Sequence, residues 1–339
     1  KVVMANEKQI KNAPKCATIK LYKKSIGILI DAAEIIAVET SGKQSDPKID
    51  TVAKLYLPNG LVESGMITDV EKFCQFLSKL LRENRFSDAP LIIGAKNQNV
   101  LLRIAAFPKA DDTKMKNIVL YGAQQVLPTA VSEFIIDSVL YNEFEEDSKL
   151  MVNALIVAAK KAYVENIISV ADMCGKAVGN IDSVVLAVYR SFLPMIKPDK
   201  PVLLVYIDYE TINIIITLNG DILLTRTVLI SDTVYDKEIE NKNLPFDEYW
   251  RTKINKDLLF KQLDSDIKTS INFFHNQHKN EIDEIYICGE YNNIDYIAKE
   301  IGKSVAQIVK CINVYPRILD NTQKDYTAAT SLSISGLEE

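Results

Sequence analysis

Apolar residues at 26–30, 35–40 and 50–57 form three runs separated by short polar breaks, and predict three strands ahead of a turn at Pro58-Asn59-Gly60. The rhythm then changes. Val70, Phe73, Phe76, Leu77, Leu80 and Leu81 recur at the spacing of one helix face through Glu83, with Thr68 and Glu71 placed as a capping box. After Pro90, residues 91–95 predict a short buried strand. The first stretch therefore reads as three strands, a helix and a strand.

A second block has a different order: a strand over 101–107, a helix over 112–126, strands over 134–142 and 150–158, and a helix over 162–175 with Val164, Ile167, Ile168 and Ala171 inward. This predicts an inserted subdomain over 98–175. A strand at 178–181 and a helix at 183–193 return to the first lobe, assigned to 25–97 and 176–198. Pro194, Pro198 and Pro201 mark a linker. The second lobe repeats the opening rhythm, with strands at 202–207, 211–218 and 222–230 and a hairpin turn at Asn219-Gly220. Residues 237–277 read as mostly polar helix with one stripe of Leu258, Leu259, Leu263, Ile267, Ile271 and Phe274, best explained by core packing. A strand at 285–288 runs into Gly289, and a helix follows at 294–301. The second lobe is thus expected to have its core in 199–232 and 282–335 and a helical part in 233–281.

Composition narrows the classes. The chain has 339 residues, too many for one ordinary core, with a soluble globular balance of 47% hydrophobic and 25% charged residues. The net charge of −5 is uneven, because residues 1–24 hold seven Lys against one Glu and the remainder is correspondingly acidic. That disfavours nucleic acid as a main partner. The basic extension over 1–24 is interrupted by Pro14 and has no clear apolar face, so it reads as a solvated tail rather than a membrane-binding helix, and Met4 reads as a natural start. Five cysteines at wide spacings without a CxxC signal neither a disulfide framework nor a zinc site, and fit a reducing compartment. No apolar run has the length of a membrane span, and no secretory leader is evident.

Chemical motifs are few. There is no P-loop, and His275 and His278, the two histidines, sit among Asn, Gln and Lys and read as a solvated helix end rather than as a metal pair or the base of a triad. The acidic run over 143–147 reads as a solvated hairpin tip. More informative is an internal repeat: "ILIDAAEI" at 28–35 and "VYIDYETI" at 205–212 share the pattern aliphatic-x-Ile-Asp-x-x-x-Ile, each followed by a second apolar strand. With the matching strand order around them, a duplicated lobe explains both.

On these residues the chain resembles the actin-like ATPase fold and, within it, the type IV pilus assembly PilM family, kin of the division protein FtsA. The supporting segments run in family order from "LVESGMITDVEKFCQFLSKLL" through "NVLLRIAAFP", "LIVAAKKAYVENIISVADMCG", "DIKTSINFFHNQ" and "IDEIYICGE" to "YTAATSLSI". The resemblance implies a mixed α/β, ribonuclease H-like, two-lobed fold with duplicated sheets and an FtsA-like inserted α+β subdomain. In active members both hairpins read roughly Asp-x-Gly followed by small hydroxyl residues, which close on phosphate and organise Mg²⁺. Here Leu29 and Tyr206 stand in place of the metal-organising Asp, Asp31 and Asp208 in place of the glycines, and Ala32-Ala33 and Tyr209-Glu210 in place of the small donors. The Gly-rich turn under the adenosine is reduced to Gly289 followed by Glu290.

A carboxylate about 4 Å from a phosphate charge costs on the order of 4 kcal/mol at an effective dielectric of 20, which is about a thousandfold in affinity. ATP with Mg²⁺ is therefore disfavoured, no catalytic residue is assigned, and both aspartates are expected as Asx-type turn formers. A cation held between them would reverse the sign, but two carboxylates are a thin ligand set. The resemblance further implies a cytoplasmic scaffold at the inner face of the membrane, working with the pilus inner-membrane complex and its assembly motor. In the family an N-terminal peptide of the membrane protein PilN lies between the first lobe and the inserted subdomain. By position that groove would involve Leu102, Arg103, Ile104, Gln124, Gln125 and Ser183. Two alternatives stay open: an active ATPase of the same machine, and the cytosolic scaffold of a type II secretion system.

Overall fold

The computed structural model describes residues 20–32, 34–58, 60–96, 99–196, 199–208, 210–235, 254–289, 294–312 and 326–339. Strands β1 (Lys24–Ile30), β2 (Glu34–Lys43) and β3 (Asp46–Tyr56) form an antiparallel meander. A small hairpin, β4 (Val62–Glu63) and β5 (Met66–Ile67), leads to helix α1 (Val70–Glu83), and β6 (Leu91–Ala95) then pairs parallel to β1. The inserted subdomain comprises β7 (Val100–Pro108), α2 (Asp112–Val126), β8 (Phe134–Glu146), β9 (Lys149–Lys160) and α3 (Lys161–Met173). The chain returns through β10 (Val178–Ser183), which joins the first sheet beside β6, and α4 (Val184–Phe192).

The second lobe repeats the first strand for strand. Its elements are β11 (Val202–Ile207), β12 (Thr211–Leu218), β13 (Asp221–Leu229), α5 (Lys256–His278), β14 (Glu284–Gly289), α6 (Ile294–Ser304) and β15 (Ile308–Cys311). The sheet orders are β10-β6-β1-β2-β3 and β13-β12-β11-β14-β15, each with three antiparallel strands followed by two parallel ones. The central strands β1 and β11 are buried on both faces, which is why they read as unbroken apolar runs rather than alternating ones. The inserted subdomain carries its own antiparallel sheet, β7-β9-β8, with α2 laid on one face through Met115, Val119 and Ala123.

The closing helix α7 (Thr327–Ser335) was assigned to the second lobe on the sequence, but it packs on the first. A side chain at Gly27 would place its Cβ 2.0 Å from the Ala329 carbonyl oxygen, so only glycine lets this helix lie directly on β1. Ser333 fastens it, donating to the Ser25 carbonyl at 2.8 Å and sharing a 2.6 Å hydrogen bond with Thr40. The first core therefore draws on both ends of the described chain.

Other local expectations are corrected. The predicted capping box does not form: Thr68 donates to the Gly60 carbonyl at 2.6 Å, and Asp69 caps α1 by accepting from the Lys72 amide at 2.9 Å. On α3, Ile167 and Ala171 are buried as expected, joined by Tyr163 and Val170, and Val164 packs against the core, whereas Ile168 is exposed. Within the described residues the long helix begins only at Lys256, and residues 236–253 lie outside them. On α5, Leu258 stays exposed while Leu259, Leu263, Ile267 and Phe274 are buried. The short edge strand β15 was not expected.

The inserted subdomain is tied to the first lobe by α3. Asn166 accepts from the Ile67 amide at 2.9 Å and donates to the Ile67 carbonyl at 3.0 Å, a two-point match to one strand residue. Tyr163 donates to the Gly94 carbonyl at 3.0 Å. Two tyrosines reach the second lobe: Tyr141 of β8, in the inserted subdomain, donates to the Ile222 carbonyl at 2.5 Å, and Tyr189 of α4, in the first lobe, to the Gly220 carbonyl at 3.0 Å. Both grip the β12–β13 hairpin, whose Asn219-Gly220 tip has the two positive φ values of a tight hairpin turn.

Candidate functional site

The two repeated turns close alike. Ile30 pairs with Ile35 and Ile207 with Ile212; the Asp31 amide donates to the Glu34 carbonyl at 2.9 Å, and the Asp208 amide to the Thr211 carbonyl at 3.1 Å. Leu29 and Tyr206, in the positions of the metal-organising acid, are fully buried core side chains. Beyond this the turns differ. Asp208 is a turn former as expected: Oδ1 accepts from the Glu210 amide at 2.8 Å and the Thr211 amide at 2.6 Å, and Oδ2 from the Thr211 hydroxyl at 2.9 Å.

Asp31 instead forms a buried ion pair with Lys96, while also accepting from the Ala32 amide at 2.7 Å. The pair follows from register. The parallel ladder of β1 with β6 pairs Ile28 with Ile93, so three residues further on Asp31 stands beside Lys96. In the second lobe β11 and β14 pair Ile207 with Gly289, and the position matching Lys96 is Glu290. Ala33, Tyr209 and Glu290 lie outside the described residues. Lys96 cancels one of the two charges expected to repel a triphosphate, which corrects the picture of two bare carboxylates. The signal was present in "LIIGAK", where a lysine ends the strand that pairs with β1.

Gly289 has a packing explanation, since a Cβ there would lie 2.1 Å from the Ile207 carbonyl oxygen. Tyr235 lies within electrostatic reach of both turns. Burial pushes its hydroxyl pKa up, and the negative charges of Asp208, Glu210, Asp232 and Asp31 push it further. Among the described residues no group of three or more acidic, histidine or cysteine side chains is placed to hold a metal ion.

The six groove candidates do not come together. Leu102, Arg103 and Ile104 line an open cleft of about 360 Å³ between the inserted subdomain and the second lobe. Gln124 and Gln125 are exposed on α2, which covers the opposite face of the β7-β9-β8 sheet from Leu102 and Ile104. Ser183 is buried as the N-cap of α4, accepting from the Leu186 amide. Across the cleft stand Leu223 and Thr225 of β13 and Phe273 and His278 of α5. Phe273, 52% exposed, and His278, exposed and stacked on Phe274 at 4.7 Å, lie at a helix end that is solvated as read; that they also line a cleft was not expected. His275 makes a 2.9 Å contact with Glu281, not a metal pair with His278.

One wall of the cleft is an open strand edge. Asn99 accepts from the Lys160 amide and Lys109 donates to the Leu150 carbonyl, so odd-numbered residues of β7 turn their backbone groups toward β9. Leu102, Ile104 and Ala106 therefore turn theirs outward. Arg103 donates to the Leu102 carbonyl at 2.8 Å, as this orientation requires, and makes no ion pair with a described residue. The site thus offers main-chain donors and acceptors, apolar walls and one cation, the parts that strand addition uses.

Comparison with known proteins agrees with this architecture. A family model described as Type IV pilus assembly protein PilM matches residues 27–327. The chain belongs to the PilM family. Among solved structures it is similar to a chain from the PilM-PilN type IV pilus biogenesis complex, with TM-score 0.79, 19% identity, and coverage of 93% of this chain and 99% of that one. The cytoplasmic domain of EpsL, an inner-membrane component of the Vibrio cholerae type II secretion system, matches at TM-score 0.51 and 9% identity over 91% of this chain and 95% of that one. Ethanolamine utilization protein EutJ from Carboxydothermus hydrogenoformans matches at TM-score 0.51 and 11% identity over 93% and 92%. No curated protein sequence matches the chain. The actin-like fold and a place in type IV pilus assembly are therefore established for this PilM family member, and among the described residues no helix is long and apolar enough to cross a membrane.

Proposed function

We propose that this PilM family member is a scaffold at the cytoplasmic face of the inner membrane that holds an extended segment of a PilN-like membrane protein against β7 and does not hydrolyse ATP. The carrying observation is the β7 edge, with the outward backbone of Leu102 and Ile104 and with Arg103, which makes no ion pair with a described residue, set in a cleft. A strand laid there gains main-chain hydrogen bonds, and an acidic side chain near Arg103 adds a charge-assisted one. The similar structure is a PilM-PilN complex, which supports a partner of this kind.

The nucleotide turns favour a binding role over hydrolysis. The amides of Ala32, Glu210 and Thr211 are already taken by Asp31 and Asp208, so a phosphate would have to displace internal hydrogen bonds before gaining its own. This reading places the inner-membrane complex and its motor, rather than a nucleotide, among the partners.

Calorimetric titration with a synthetic PilN-like N-terminal peptide tests the proposal. Binding is expected, with Arg103→Glu weakening it about 10- to 100-fold through the lost charged hydrogen bond. Ile104→Pro, which removes an edge donor, is expected to weaken it as well. Absence of peptide binding, or binding unchanged by both substitutions, would refute the cleft assignment. In parallel, no heat is expected with millimolar Mg-ATP. The pair Asp31→Gly with Asp208→Gly, which frees Lys96 and the turn amides, is the change expected to restore phosphate affinity.

A further inference from the structure

Two strand edges meet at the cleft. β7 is the outer strand of the β7-β9-β8 sheet and β13 the outer strand of the second lobe's sheet, and their Cα atoms approach within 8 Å without forming a ladder. Both line the cleft, Leu102 and Ile104 on one side and Leu223 and Thr225 on the other. The register of β13 fixes which of its backbone groups point away from β12. The Ile230 amide donates to the Glu210 carbonyl at 2.8 Å, so the next pair, Thr211 with Leu229, exchanges no backbone hydrogen bonds. Leu229 thus turns its backbone outward, and its carbonyl accepts from Gln262 at 2.8 Å. The register is unbroken back to Thr225, four residues earlier, which therefore points the same way. Nearer the hairpin the Ile222 carbonyl accepts from Tyr141, so this outward side of β13 is the one the inserted subdomain faces. Neither Ile104 nor Thr225 makes a hydrogen bond with a described residue on its outward side.

An extended chain matches two such edges, because successive residues of a strand bond alternately to left and right and can satisfy both at once. Resting on the assignment of β7 as the docking edge, we propose that the bound segment of the PilN-like protein is an inserted strand, paired with β7 on one side and with β13 on the other. The sheets of the inserted subdomain and of the second lobe then become one. Neighbouring strands stand about 4.8 Å apart, so an inserted strand needs flanking edges about 9.6 Å apart. The nearest approach of β7 and β13 is shorter than that, and the inserted subdomain swings outward from β13 as the strand enters. The partner therefore does more than dock: it sets the angle between the inserted subdomain and the second lobe.

The test is hydrogen exchange on the full chain, with and without a saturating synthetic PilN-like N-terminal peptide, read by mass spectrometry over residues 102–106 and 223–227. The outward amides of Ile104 and Thr225 are expected to exchange fast in the free protein and to slow at least about tenfold together in the complex. Calorimetry adds a second readout. Thr225→Pro deletes the outward donor of β13, a change that an edge strand tolerates, and should weaken the peptide about tenfold, as a separate loss from that of Ile104→Pro. Protection confined to residues 102–106, or a folded Thr225→Pro variant that binds like the parent, would overturn the insertion and leave β7 as the docking edge. No binding of the peptide, or a complex without protection over residues 102–106, would overturn both.

Discussion

The same turn, built twice, settles its aspartate in two ways. In the first lobe the carboxylate of Asp31 is met by a lysine on the adjacent parallel strand; in the second, Asp208 is met by two backbone amides and the Thr211 hydroxyl. The strand ladders are equivalent, and the first lobe carries Lys96 just past the end of β6, where it meets the turn. Where the neighbouring strand supplies a cation, the turn neutralises its charge through the ladder. In the second lobe the turn satisfies its carboxylate from its own amides and the Thr211 hydroxyl. A duplicated fold can therefore keep a loop's shape while its electrostatics diverge.

Four measurements bear on that contrast. Lys96→Met strands a buried carboxylate in the first turn, and about 3–5 kcal/mol of stability should disappear, read as a fall in the urea midpoint at unchanged slope. Adding Asp31→Asn should return most of it; a Lys96→Met variant as stable as the parent would show that the pair does not hold the turn. In the second turn Asp208→Ala removes three accepted hydrogen bonds and should cost about 2–3 kcal/mol, whereas Asp208→Asn, which keeps a carbonyl acceptor, should cost about 1 kcal/mol. Equal costs for the two would mean that charge, rather than acceptor geometry, matters there.

The contacts that the first lobe and the inserted subdomain make with the second lobe are expected to be weaker than either turn. Tyr141→Phe and Tyr189→Phe each leave a hairpin carbonyl without its donor and should lose about 1 kcal/mol apiece in equilibrium unfolding. The smallest effect lies with Tyr235, whose pKa is raised first by burial and then by the carboxylates of both turns. A raised phenol stabilises the fold fully below its unfolded pKa near 10 and loses that contribution as pH climbs through the folded value. Ultraviolet titration above pH 10 should show Asp208→Asn lowering the Tyr235 pKa more than Asp31→Asn, because Lys96 already offsets the charge of Asp31. The reverse order would contradict the neutralisation assigned to Lys96.

Much of the architecture was legible in advance. Residues 91–95, 202–207 and 211–218 were read as strands with the boundaries observed, because apolar runs buried on both sheet faces leave a continuous signal. Helix α2 was read over its observed length for a related reason: its ends fall between clear strands. The errors lie where a distant element chooses between local options. Thr68 gave way to Asp69 as the cap of α1 because its hydroxyl was engaged by the preceding loop. On α3, Ile167 and Ala171 lie inward as read and Val164 packs against the core, while Ile168 faces out. The groove was placed by position between the first lobe and the inserted subdomain; Leu102 to Ile104 instead line a cleft toward the second lobe, Gln124, Gln125 and Ser183 lie elsewhere, and Phe273 and His278 complete that cleft from a helix more than a hundred residues away.

By itself the sequence determined the duplicated strand order, the inserted subdomain and the altered turns, since each is written in local periodicity and in a repeat that no contact is needed to see. Only the tertiary structure decided which partner each aspartate found, that α7 closes the first lobe, and that the β7 edge opens toward β13. Those outcomes depend on ladder register and on packing between segments far apart in the chain, and neighbouring residues carry no record of either.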